Sequence, residues 1–183
     1  NPLKYIDIFL VDLNEIQENK YNDIIENMEE NDLIKDHHDA FGYTVLSKPL
    51  EALNIVYPLD TNYTGILGLR GVMDYDEDSE SRYNYQYKND ILSNYGRLFH
   101  PTNISKYSAK IAAICNTITT SDGIILIYSQ YIEGGIIPLA LALEEIGYRQ
   151  YNSTTNLLKD NPRTKSEKYI IVSGNKLYSK DIS

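Results

Sequence analysis

Five consecutive apolar residues, IILIY at 124–128, constrain this chain more than any other feature. Such a run suits a parallel strand covered by helices on both faces. Its flanks agree. Upstream, Tyr107, Ile111, Ile114, Cys115 and Ile118 recur at helical spacing, a stripe that takes in the chain's single cysteine. Downstream, Gly134 and Gly135 lead into a second helix. Pro138 lies near its start, Ile136, Leu139, Ala140, Leu143 and Ile146 lie on one side, and Gly147 stops it. YIIV at 169–172 then reads as another buried strand, ending in Ser173, Gly174 and Asn175. Residues 105–175 are therefore expected as helix, strand, helix, strand, and right-handed crossovers place both strands in one parallel sheet. The expected class is α/β. A sheet of two parallel strands has open edges, and the chain starts at Asn1 rather than Met, so it reads as a fragment whose sheet continues elsewhere.

The first half is less regular. YIDIFLV at 5–11 is β-branched enough for a strand. Asn14 with Gln17 three residues on fits an N-terminal capping box. Gln17, Tyr21, Ile24, Ile25 and Met28 continue at helical spacing. In YTVLSKPLEALNIV at 43–56, Pro49 suits the first turn of a helix, and Leu50, Leu53, Asn54 and Tyr57 share a face before Pro58. Residues 59–90, with the acidic run DYDEDSE, read as a loop or insertion with little packed structure, and 89–98 as a short helix. Three regions result: 1–58, a strand and helices; 59–104, a polar insertion with a short helix; 105–183, a truncated α/β lobe.

Charge separates the ends. The net charge is −9. Residues 1–40 hold 3 Lys and 11 acidic side chains, whereas 147–183 hold 7 basic and 3 acidic ones. The basic tail, Arg149, Lys159, Arg163, Lys165, Lys168, Lys176 and Lys180, is interleaved with Tyr148, Tyr151 and Tyr169, a pattern that can track phosphates and stack on bases. No apolar run approaches the roughly 20 residues of a bilayer crossing. With one cysteine and no basic-plus-apolar leader, an intracellular protein without a membrane partner is expected.

Ligands of open parallel sheets gather at the carboxyl ends of strands. That rule selects Ser129, Gln130, Tyr131, Glu133, Gly134 and Gly135, and after the second strand Ser173, Gly174, Asn175 and Lys176. The glycine pair is a weak phosphate-loop signal, because neither GxxxxGK[ST] nor GxGxxG occurs. His37, His38 and His100 lack metal-ligand spacing, so no metal site is assigned. Cys115, on an apolar stripe, reads as core. The acidic run at 74–80 lacks the spacing of a calcium loop.

Several stretches, in order, resemble one family. DLNEIQENKY at 12–21 resembles the L-S-x-x-Q-x-x-x-Y opening of the second motor lobe in Swi/Snf-type superfamily-two helicases. KPLEALNIVYP at 48–58 sits where those proteins carry a Leu-rich helix ending in His-Pro. KYSAKI at 106–111 matches their Ser-Gly-Lys before a helix, with Ala109 in place of Gly. ILIYSQYI resembles their motif IV, with Tyr128, Ser129 and Gln130 for Phe-Ser-Gln, and LALEEIGYRQY resembles the helix and strand that follow. The set looks most similar to helicases of nucleocytoplasmic large DNA viruses. The resemblance implies a partial RecA-like lobe, the second half of a two-lobe motor. ATP and magnesium would be bound only with the first lobe of the same polypeptide, and DNA or RNA would lie across both. Walker A, Walker B and arginine-finger motifs are absent from this chain, so no catalytic residue and no cofactor are expected of it alone. The nucleic-acid candidates it implies are Ser108, Lys110, Ser129 and Gln130, to which the basic tail adds Lys176. The resemblance also implies a workplace in host cytoplasm, at the viral factory, or in the virion. Two other readings are a non-enzymatic nucleic-acid or protein interaction module and a small Rossmann-like enzyme using the turn at 133–135.

Overall fold

A computed structural model describes residues 7–30, 43–76, 84–151, 156–162, 164–174 and 178. The capping signal at Asn14 is realised: its Oδ1 accepts from Gln17 N at 3.0 Å, and helix α1 runs Glu15–Glu30. Gln17, Ile24 and Met28 form its buried stripe. Helix α2, Tyr43–Asn54, starts six residues before Pro49, which lies inside it. Packing explains the earlier start, since Val45 from the added first turn joins Tyr21, Ile24 and Met28 in a small cluster with Ala52 and Val56. The buried face is thus Pro49, Ala52 and Val56, while Leu50, Leu53 and Asn54 are half-buried.

Residues 59–90 are not the loosely packed loop expected from their polarity. Helix α3, Gly65–Val72, leads directly into strand β1, Met73–Asp76, which pairs antiparallel with β2, Asn84–Tyr87. Leu69, Val72, Met73, Tyr85 and Tyr87 belong to the main core. The hairpin is tied to the C-terminal region, because Tyr85 N donates to Leu157 O at 2.6 Å and Lys159 N to Tyr85 O at 3.0 Å. Alternating tyrosines with one face in the core supply the apolar pattern that mean polarity conceals.

Helix α4, Asn89–Tyr95, precedes the short α5, Ile104–Tyr107, and then α6, Ala109–Thr120, whose Ile111 and Cys115 are buried. A π-helical turn, Ile132–Ile136, opens into α7, Ile137–Ile146. Every residue of α7 from Ile137 to Glu145 is buried, so this helix is the spine of the core rather than a surface helix. Gly147, at φ +104°, closes it, with Tyr148 N donating to Leu143 O at 3.0 Å. Strands β3, Arg149–Gln150, and β4, Lys168–Tyr169, make a short parallel ladder.

Among the described residues the chain is mixed helix and strand, with two small two-stranded sheets. Three expected strands are corrected. Residues 7–11 form none, and Ile8, Phe9 and Leu10 are exposed. Residues 124–128 are neither laddered nor buried on both faces. Of 169–172 only Tyr169 is paired, with Ile171 buried and Ile170 and Val172 exposed. In each case the apolar, β-branched composition is right, but a ladder also needs a neighbouring backbone, which among the described residues only Tyr169 finds, against β3.

Candidate nucleic-acid interface

Three stretches set apart by the sequence converge at the start of α6. The Gln17 side chain is fully buried and spans two elements, donating from Nε2 to Ala52 O at 2.8 Å and accepting at Oε1 from Ala109 N at 3.2 Å. It does not turn back on its own helix as a capping box would require. Asn14 Nδ2 donates to Ser105 O at 2.5 Å, so the α1 cap also touches the segment before α6. Ser108 is the N-cap of α6, donating to Asn54 O at 2.5 Å and accepting from Ile111 N at 2.9 Å. The Ser108 residue is fully buried and its hydroxyl is committed to these two bonds. Lys110 is exposed, its Nζ 2.8 Å from Asn54 Oδ1, and partial burial pushes its ammonium pKa down.

The motif IV residues separate. Tyr128 is exposed. Ser129 Oγ accepts from Tyr131 N at 3.1 Å, a local turn bond that shapes the entry to the π-turn. Gln130 lies on the rim of an open cavity of about 280 Å³ lined also by Glu51, Ile66, Tyr131, Ile132, Glu133 and Gly134. Burial raises the Glu51 carboxyl pKa, a hydrogen bond from Thr64 opposes this, and the Glu133 charge adds to it. A Cβ on Gly134 would meet Glu51 Cγ at 3.2 Å, and one on Gly65 would strike the Glu51 carboxylate. The first turns of α3 and of the π-turn therefore already face the protein's own anion. Two carboxylates make this cavity a poor seat for a polyphosphate, so the turn at 133–135 does not fit the phosphate loop of a small nucleotide enzyme.

The basic tail is where cations and aromatics meet. Lys165 Nζ lies 5.0 Å from the Tyr148 ring centroid and Lys168 Nζ 5.5 Å from that of Tyr151. Both pairs lie along the β3–β4 ribbon, held by Lys165 N donating to Gly147 O at 3.1 Å and Tyr151 N to Tyr169 O at 2.8 Å. Between them, Arg149 Nε is buried with no hydrogen-bond partner among the described residues. Tyr151 is half exposed and able to stack, whereas Tyr148 is buried and Tyr169 donates its hydroxyl to Glu144 at 2.5 Å. Lys159 bonds Gln86 Oε1 at 2.9 Å. Arg163, Lys176 and Lys180 lie outside the described residues, as do Asn175, His37 and His38.

His100 is engaged with Thr102 at 2.9 Å, and among the described residues no group of three or more His, Cys, Asp or Glu is placed to hold a metal. Burial pushes the Cys115 thiol up to about 12, as a core cysteine requires. Of the acidic run at 74–80, Asp74, Tyr75 and Asp76 belong to β1 and residues 77–80 lie outside the described residues.

Two buried glutamates have no place in the sequence reading. Glu144 accepts from Leu157 N at 3.0 Å and Leu158 N at 2.6 Å. Glu145 accepts from Arg97 Nε at 2.9 Å and from the Tyr87 hydroxyl at 2.7 Å. Together they clamp the hairpin, α4's trailing loop and the 157–158 segment onto α7. Their signal was present: a helix reading IPLALALEEI is apolar all round, so its acids have no solvent face to occupy. Comparison of the chain with protein families, curated proteins and solved structures finds no match in any of the three.

Proposed function

We propose that this chain is part of the second motor lobe of a superfamily-two, Swi/Snf-like helicase or translocase of the kind found in large DNA viruses. In this reading it contributes nucleic-acid contacts to ATP-driven movement and works with a first lobe of the same polypeptide in the host cytoplasm or virion. The supporting observation is the Gln17 junction. Stretches 12–21, 48–58 and 106–111, quoted for the resemblance from three separate places in the sequence, meet through Gln17, Ala52, Asn54, Ser108 and Ala109. Residues that form one structural unit are what an ordered set of family motifs requires.

The nucleic-acid contact belongs to Lys165, Lys168 and Tyr151 on the β3–β4 ribbon, with Lys110 as a third cation. Lysine ammoniums supply the sequence-independent phosphate term, and Tyr151 supplies a stacking face. Gln130, beside two carboxylates, serves the lobe rather than a phosphate. The residues present do not fit ATP or magnesium, and no step of hydrolysis is assigned to them. A single-stranded oligonucleotide should bind the purified chain, and Lys165→Glu with Lys168→Glu should weaken it about tenfold or more. Nucleic-acid-stimulated ATP hydrolysis by this chain alone would contradict the proposal. Unchanged binding by the double variant would contradict the assignment of the contact.

The chain bears no helix, among the described residues, long and apolar enough to cross a membrane. The alternative of a protein interaction module draws on one observation, the exposed apolar side chains of Ile8, Phe9, Leu10, Ile124, Leu126 and Tyr128.

A further inference from the structure

Arg149 stands on the β3–β4 ribbon without an acid of its own. Its Nε is buried with no acceptor among the described residues, and no ion pair joins its guanidinium to a described carboxylate. A buried charged donor left unmet is costly, so such a group points to an acceptor that comes from outside. Its surroundings say of which kind. In the parallel register Arg149 lies opposite Lys168, and residues paired in this way show their side chains on one face. Tyr151, two residues on from Arg149, shares that face, and Lys168 Nζ lies 5.5 Å from its ring centroid. The other face is turned to the core, through buried Gln150 and through the Tyr169 hydroxyl on Glu144 at 2.5 Å. The outward face thus sets two cations beside an aromatic ring that is 51% exposed. The adjoining acid, Glu167, alternates away from it and accepts from Ser166 Oγ at 3.2 Å.

We infer that Arg149, Lys168 and Tyr151 form a seat for one nucleotide unit of a single strand, the guanidinium and the ammonium sharing one phosphate while the adjoining base stacks on Tyr151. The inference rests on the nucleic-acid reading above and deepens it by naming Arg149 as the anchor. Two like charges in register repel until an anion lies between them, and phosphate oxygens match the planar fork of a guanidinium. A nucleotide carries its anion and a π-face in one unit, which is the pairing this face offers. Because both cations meet the same phosphate, Arg149 adds affinity and orientation without steepening the salt dependence. In a duplex the base faces are already stacked on each other, so the seat selects single strands.

Fluorescence anisotropy with a single-stranded oligonucleotide over a salt series tests the seat. Arg149→Lys keeps the charge and loses the fork, so it should weaken binding about tenfold with the salt slope unchanged and with the circular dichroism of the parent chain. A second measurement needs no variant. A duplex of the same sequence should bind the parent chain about tenfold more weakly than the single strand, although the duplex carries the denser charge. Parent affinity in Arg149→Lys, a slope that falls with that substitution, or equal affinity for duplex and single strand would each overturn the seat. Weakened binding in the Lys165→Glu, Lys168→Glu variant beside an unaffected Arg149→Lys would remove the seat and leave the proposed function standing. Failure of the parent chain itself to bind any oligonucleotide would remove the nucleic-acid reading and the seat with it.

Discussion

Gln17 makes both of its long-range hydrogen bonds from a fully buried side chain, so its removal strands a carbonyl on α2 and an amide at the start of α6. Gln17→Ala should therefore cost about 2 kcal/mol or more by urea denaturation, well above an ordinary surface substitution. A cost near zero would mean that the junction does not organise the lobe. Glu144 makes a different prediction, because burial pushes its carboxyl pKa up against the hydrogen bonds from Tyr169, Leu158 and Leu157 that pull it down. A raised pKa means the folded state holds the proton more tightly than the unfolded chain. The associated stability is complete below the ordinary carboxylate range and is lost as pH rises through the raised value. Glu144→Gln lacks that titration and loses an acceptor, so its deficit in Tm should be largest near about pH 4 and shrink toward about pH 7. A deficit that widens with pH would reverse the sign of the argument. Residue roles of this kind were only partly legible. Asn14 as a cap and Cys115 as core followed from spacing, but Ser108 as a buried cap and Gln17 as a bridge depend on partners 54 and 92 residues away.

At the scale of elements, helices were legible because their signals are local. The Asn14 cap and the Gly147 stop both act within a turn or two of chain. Gly147 carries a testable cost. At φ +104°, with Thr164 packed where a side chain would go, Gly147→Ala should destabilise by about 1–3 kcal/mol, measured as a lower thermal midpoint with unchanged helix content. An unaffected midpoint would show that the turn relaxes. Strands were not legible in the same way. IILIY and YIIV have the composition of buried strands, yet the first is bare on one face and the second is paired only at Tyr169. Conversely, Asn84–Tyr87 looked polar and is a core strand, because Tyr85 and Tyr87 point inward while Gln86 points out. Strand formation is decided by the neighbour, and no property of a segment alone reports its neighbour.

For the whole molecule, the charge gradient was plain in the sequence. Its functional part was not, since only the contacts of Lys165 and Lys168 with Tyr148 and Tyr151 show which basic residues share a ribbon. The acidic cavity around Glu51 and Glu133 was likewise hidden, because its acids are 82 positions apart. The central claim is that this ribbon holds a nucleic-acid backbone although the protein as a whole is acidic. The direct measurement is the affinity for a fluorescent single-stranded oligonucleotide over a salt series. Three lysines on phosphates, Lys165, Lys168 and Lys110, predict a slope of log K against log salt near about −2.1, falling toward about −0.7 in the Lys165→Glu, Lys168→Glu variant. Binding that ignores salt, or a slope that survives the double substitution, would contradict the account.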